Sequence, residues 1–240
     1  MKAWQGAWHI AKHEIRRKPL GSLFTLFFSG YMALTTYQQF DSSTGHETGG
    51  IISMMDFLML TVFPVLAFSY NRMTFRCWRE DTNTRRLAQW RTIPIPVASI
   101  VLGRMLQMVF HLLPAMILYF TIQYVTHPEL RTSTHLGHYF LFGLFWFFYA
   151  LGMAVVYLYL ELGYSGKQYL LFTILIFFII GIVTTVIAIG PHIHLVRKVL
   201  EAEADGQWGY TAVSLLFSAV MLFSGYKIIP VRLRNRSYLK

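Results

Sequence analysis

Nothing limits this chain more than the way its apolar residues are grouped: they arrive in six long blocks, at about 20–37, 51–70, 97–125, 139–160, 168–190 and 209–229, separated by short polar segments. About 20 helical residues match a hydrocarbon core roughly 30 Å thick, so each block is long enough to cross a bilayer. With 55% hydrophobic and only 13% charged residues in 240, the chain reads as an all-α, polytopic membrane protein whose length counts crossings rather than soluble domains. It is taken as one transmembrane domain over 1–240. The third block is overlong and carries Arg104, His111 and Pro114, which predicts Arg104 snorkelling outward and a kink at the proline.

The placement of cations tests the number of crossings. Of the 21 Lys and Arg residues, 18 fall in the N-terminal segment, in 71–96, at Arg104, at Lys167 and at the C-terminal end. The other side keeps Arg131, Arg197 and Lys198. Cytoplasmic loops are the basic ones, so six transmembrane helices with both termini cytoplasmic account for this split, which losing one crossing would scramble. The net charge of +10 is thereby a matter of topology, not of nucleic-acid binding, because no single compact face gathers it. The lone Cys77 implies neither a disulfide nor a cysteine metal site.

Residues 1–18 place Trp4, Trp8, Ala11 and Ile15 about one turn apart with Lys2, His9, Lys12, His13 and Arg16 around them. This pattern predicts an interfacial amphipathic helix on the cytoplasmic side, with Trp4 and Trp8 as its anchors. Segment 71–96 holds six arginines. Its second half, 82–93, predicts a short helix capped by Thr82 or Asn83 and bearing Leu87, Trp90 and Ile93 as a ridge among Arg85, Arg86 and Arg91. The following Ile-Pro-Ile-Pro ends that helix. The ridge suits docking of a soluble partner, although lipid headgroups would accept the same residues. On the opposite side 127–136 reads as a turn, and 191–208 contains a short helix over 195–204.

Chemistry is sparse. No GxxxxGK[ST] occurs, so the chain binds no ATP by that route. Inside the blocks Asp56 is the one acid, expected as a partly hydrated residue near the outer mouth, and Glu161 sits at an inner helix end. So few intramembrane charges argue against ion coupling and for a mechanical drive from the cytoplasmic face. Gly163-Tyr164-Ser165-Gly166 has the form seen in rhomboid proteases, but the turn is cytoplasmic and 209–229 offers no histidine base. His192, His194, His135 and His138, with Glu201, Glu203 and Asp205, lie in outer loops without an HExxH spacing, and no metal site is assigned. The aromatics of 142–159 cover both faces of their helix, which predicts lipid contact. Small residues at Ala150 and Ala154, and at Ser214 and Ser218, have the spacing that lets helices approach closely.

Two cytoplasmic strings carry a resemblance: Trp90-Arg-Thr-Ile-Pro-Ile-Pro96 followed by Val-Leu-Gly-Arg104, and Ala11-Lys-His-Glu-Ile-Arg-Arg-Lys-Pro19 before the first crossing. They resemble the permease subunits of ABC-2 type exporters, in which an L-P-I string follows a coupling helix and a K-x-E-hydrophobic-R-R start precedes the first crossing. Here Ile93 stands where leucine is usual, and the first outer loop is longer and Gly-rich. The resemblance implies a multi-pass permease subunit in a bacterial plasma membrane, itself no enzyme. It implies two copies of an ABC ATPase subunit holding ATP and Mg, no cofactor on this chain, a second permease identical or homologous, and a peptide, antibiotic or lipid-like cargo. Arg85, Arg86, Leu87, Trp90, Arg91 and Ile93 would then form the ATPase-docking coupling helix. A gradient-driven carrier or a non-transport accessory protein is the competing class, with an intramembrane hydrolase more remote.

Overall fold

A computed structural model of the chain describes residues 3–17, 19–36, 49–69, 96–190 and 193–235. Among these residues are nine helices and no strand: α1 (Ala3–Arg17), α2 (Pro19–Thr35), α3 (Gly49–Val65), α4 (Val97–Thr126), α5 (Pro128–Ser133), α6 (Leu136–Gly163), α7 (Gly166–Ile189), α8 (Leu195–Ala204) and α9 (Gly209–Arg234). Each of the six apolar blocks is occupied by one helix. Four of them, α4, α6, α7 and α9, are long and apolar enough to cross a membrane. α2 and α3 have 17 residues each, about 25 Å of rise and the short end of what a crossing needs. The expected coupling helix, with Arg85, Arg86, Leu87, Trp90, Arg91 and Ile93, lies outside the described residues.

α8 has the bounds the sequence suggested. The segment 127–136 does not: it holds the six-residue α5, started by Pro128 at its first position, where a missing N–H costs nothing. α4 runs unbroken through Pro114 for 30 residues, about 45 Å, so part of it must project beyond a hydrocarbon core about 30 Å thick.

α6 is the centre of the bundle. Its Phe142 and Trp146 are buried and meet Phe63 of α3 and Phe120 of α4 edge to face, with Phe63–Trp146 centroids 5.7 Å apart and Phe120–Phe142 also 5.7 Å. The expectation of lipid contact for these aromatics is therefore corrected: Phe142, Trp146 and Tyr157 are no more than 1% exposed. In an apolar bundle hydropathy does not separate core from lipid, and quadrupole geometry draws aromatic rings to one another instead. Tyr149 has a further task. Pro64 leaves the carbonyl of Leu60 without its helical partner, and the Tyr149 hydroxyl donates to that carbonyl at 3.0 Å.

Two seams set the helix directions. On α2, hydroxyls recur every seventh residue: Ser22 lies 3.0 Å from His111 Nε2, Ser29 donates to the Ala115 carbonyl at 2.6 Å, and the Thr36 hydroxyl just past its end lies 2.7 Å from the Tyr119 hydroxyl. Both series ascend, so α2 and α4 run in the same direction. On α9, Thr211 and Ser214 donate to the carbonyls of Leu141 and Phe145 at 3.1 and 2.7 Å, and Gly225 lies against Val155, where an added Cβ would come within 2.4 Å. α6 and α9 are thus also co-directional, in close approach over the small residues Ser214, Ser218 and Gly225. α3 meets α7 at Phe57 and Gly181, and its Asp56 meets the segment beyond α7.

Candidate functional site

At one end of the bundle, α4 emerges from the basic segment and is gripped at once from two sides. α1 lies on it so closely that a Cβ on Gly103 would come within 3.0 Å of the Ala7 carbonyl, and one on Gly6 within 3.2 Å of Ser99 Oγ. Glycine at both positions is what permits that distance. α1 buries Ala7, Ala11 and Glu14 and turns Trp4 and Trp8 outward, 58% and 44% exposed, with Lys12, Arg16 and Arg17 also exposed. Its small residues therefore form the protein face and its tryptophans a separate outer face, rather than one shared apolar stripe. Trp8 also touches Phe110 of α4, with centroids 5.7 Å apart.

Arg104 makes the second grip and corrects the expectation of an outward, snorkelling side chain. It is 6% exposed; Nη2 donates to both carboxylate oxygens of Glu161 at 2.7 and 2.6 Å, and Nη1 to Gln107 Oε1 at 2.6 Å. With α1 covering this part of α4, an unpaired guanidinium would lose its water without compensation, whereas the carboxylate and Gln107 satisfy its two Nη groups and leave only Nε without a partner among the described residues. Glu161 is the near-terminal acid of α6, so the ion pair ties the start of α4 to the end of α6. One helical turn farther along α4, His111 Nδ1 lies 2.8 Å from the Gln107 carbonyl. A carbonyl only accepts, so Nδ1 carries a proton, and Nε2 pairs with the Ser22 hydroxyl. The polar stripe Arg104–Gln107–His111 thus joins α4 to α6 and α2.

The same end collects most of the described cations, while Arg131, Arg197 and Lys198 lie at the other. The α6–α7 turn sits here, with Arg232 of α9 stacked 5.0 Å over the Tyr164 ring. Ser165 in that turn opens α7: its amide and hydroxyl both donate to Gln168 Oε1 at 3.3 and 3.1 Å in a capping box. The Gly-Tyr-Ser-Gly string is therefore a helix start.

At the opposite end a groove of about 960 Å³ opens between α3 and α7. Met54 and Phe57 form one wall, Ile174, Phe178 and Gly181 the other, and His194 lines it beside Thr184 and Thr185. Both threonine hydroxyls already donate to carbonyls of their own helix. α7 is the least covered helix of the bundle: only Gly166 and Thr184 are buried along it.

Asp56 lies beside this groove and is dry, 3% exposed, contrary to the expected hydrated residue. Its oxygens accept the amides of Leu195 and Val196 at 2.9 and 3.1 Å, so it serves as a remote cap for α8. Two amides and the positive end of the helix offset part of the desolvation there. Glu203, fully buried, acts similarly for α9, accepting the Thr211 amide at 3.2 Å and hydroxyl at 2.7 Å. His135 and His138 face each other at 6.3 Å between centroids, but among the described residues no three of His, Cys, Asp and Glu come together to hold a metal. His192 lies outside the described residues. The heptad of hydroxyls on α2 was the one legible signal for these joints that residue-by-residue reading passed over. No protein-family model, curated protein or solved structure matches this chain.

Proposed function

We propose that this chain is the membrane-spanning permease subunit of an ABC exporter of the ABC-2 type, making six crossings with both termini in the cytoplasm and taking its stroke through segment 71–96. The observation that carries this reading is the grip on α4: the helix leaving that segment is fixed within its first turns to α1 at Gly103 and to α6 by Arg104–Glu161. A push on the segment is thereby delivered to three elements together, as a lever requires.

Further support comes from direction and charge. The co-directional pairs α2–α4 and α6–α9 are what six alternating crossings produce. Most of the described basic residues gather at the end bearing α1, Arg104, Lys167 and Arg232, the cytoplasmic end in this reading, and three, Arg131, Arg197 and Lys198, lie at the other. Asp56 and Glu161 are both committed to structural bonds, which favours a mechanical drive over ion coupling. The apolar groove between α3 and α7 suits a cargo with a hydrocarbon part. ATP and Mg belong to two partner ATPase subunits, and a second permease, identical or homologous, completes the assembly.

The test is isolation of the tagged chain from its native membrane, with mass spectrometry of what accompanies it. An ATPase bearing a Walker A motif is expected at equal stoichiometry, and Leu87→Asp or Trp90→Asp is expected to remove it. Undiminished association in both variants would overturn the docking role. A wild-type preparation free of any ATPase would leave the carrier or accessory class in its place.

A further inference from the structure

α8 is attached differently at its two ends. Its C-terminal end is stapled locally: Gly206 takes φ 76°, the Gln207 amide reaches the Ala202 carbonyl at 2.9 Å, and Glu203 bonds the Thr211 amide and hydroxyl at the start of α9. This is a glycine-terminated helix end running directly into the next helix, with every bond spanning eight residues or fewer. The N-terminal end has less local support, a single long bond from the Ile193 amide to the Ile187 carbonyl at 3.4 Å just before the helix. Its N-cap residue, His194, makes no side-chain capping bond, and the two amides that follow are satisfied by Asp56, 139 and 140 positions away on α3. Between the ends, Val196 and Val199 are buried while Arg197, Lys198 and Glu201 face out. His194, the residue at the Asp56 end, also lines the groove between α3 and α7.

The geometry points to α8 as a lid at the His194 end of that groove, pivoting at Gly206 and Glu203 and latched shut by Asp56. The latch belongs to α3, which is also a groove wall, so a displacement of α3 against α7 changes the groove and pulls on the latch in one movement. Asp56 is a positioning residue here: it touches no cargo and acts through the α8 backbone. Its carboxylate is suited to this because it satisfies two amides at once, whereas asparagine keeps a single acceptor oxygen and alanine none. Release frees two amide donors at a helix start, which water can satisfy once the end lifts, so the open state is a local rearrangement of α8 rather than unfolding of the bundle.

This inference rests on the groove being the cargo path, but its test needs neither an ATPase nor transport. In the full chain reconstituted in lipid, hydrogen exchange is followed in Asp56→Asn and Asp56→Ala. Peptides covering Leu195 and Val196 are expected to exchange at least tenfold faster, the alanine variant more than the asparagine, while those covering Thr211 and Arg104 stay unchanged. In a Cys77→Ser background, a cysteine at Ala188, half-buried in the groove, is expected to react several-fold faster with a membrane-impermeant maleimide when Asp56 is replaced. A cysteine at the exposed Tyr210 is expected to react at its original rate. Unchanged exchange at Leu195 in Asp56→Asn, or acceleration spread evenly over all helices, would overturn the latch. The proposed ATPase association would survive that result, since it is read by co-purification.

Discussion

Replacing Glu161 with glutamine leaves the Arg104 guanidinium in place with no counter-charge. The two side chains are 8% and 15% exposed and meet at 2.6 Å, so solvent does little to screen them. Removing one partner of such a buried pair costs about 3–5 kcal/mol. Glutamine retains one acceptor for Nη2, and Glu161 is the wetter partner, so the expected loss is near the lower limit, about 2–3 kcal/mol. For a chain of this length that corresponds to a fall in Tm of roughly 4–12 °C. Arg104→Met is expected to cost a similar amount, because it strands the carboxylate. The double replacement Arg104→Met with Glu161→Met should lie within about 1 kcal/mol of the parent, since an apolar pair removes both desolvation penalties. Thermal unfolding of all four proteins in nanodiscs, followed by tryptophan fluorescence, gives the coupling energy directly. If each single variant loses less than about 1 kcal/mol and the losses simply add, the ion pair does not hold α4 to α6.

Two other joints can be tested the same way. Gly225→Ala places a Cβ 2.4 Å from Val155 Cγ1 and 3.0 Å from Met105 Cε, and is expected to cost about 1–3 kcal/mol by overpacking; adding Val155→Ala should recover part of the lost Tm. Gly152→Ala also clashes, at 2.5 Å, but with the ring of the half-buried Phe217, which can swing away, so its loss of Tm should be the smaller of the two. Tyr149→Phe strands the Leu60 carbonyl and is expected to cost about 1 kcal/mol. In a Pro64→Ala chain, where an amide is restored to that carbonyl, the same replacement should cost less than half as much in thermal unfolding.

What the sequence disclosed and what it withheld separate along one physical line. Block length and capping chemistry are local, so the positions of α2, α3, α4, α6, α7 and α9 and both bounds of α8 could be read from it. The small residues at Ala150, Ala154, Ser214 and Ser218 were legible too, because a required close approach leaves its mark at fixed spacing, and all four are buried. Which faces meet was not legible. Arg104 and Glu161 are 57 positions apart, and Asp56 and Leu195 are 139 apart; taken singly, each looked like an interfacial or hydrated charge. The aromatics of α6 misled for a related reason, since lipid and protein core are equally apolar and no amphipathic stripe distinguishes them. The partition of α1 into a small-residue face and a tryptophan face was hidden because Ala11 falls in register with Trp4 and Trp8 while packing on the other side.

Helices in a bilayer gain no hydrophobic reward for choosing one neighbour over another, so direction and position are set by hydrogen bonds, ion pairs and close approach of small residues. The polar joints are unevenly distributed. α2 and α4 share three hydroxyl contacts, and α1 is pressed onto α4, which makes these three helices one body. α6 and α9 are joined by Thr211, Ser214 and the close contact at Gly225, which makes a second. Arg104–Glu161 links the first body to the second beside the basic segment, while α3 reaches the second through the Tyr149–Leu60 bond and α8 through Asp56. α7 is the least covered of these helices, with only Gly166 and Thr184 buried along it. Under the proposed coupling, a displacement entering through 71–96 moves the α1–α2–α4 body first and recruits α6 and α9 through the ion pair. The least covered helix, α7, is then the one that lags, and the volume that must change is the one between α7 and α3, where the groove and the Asp56 latch are found.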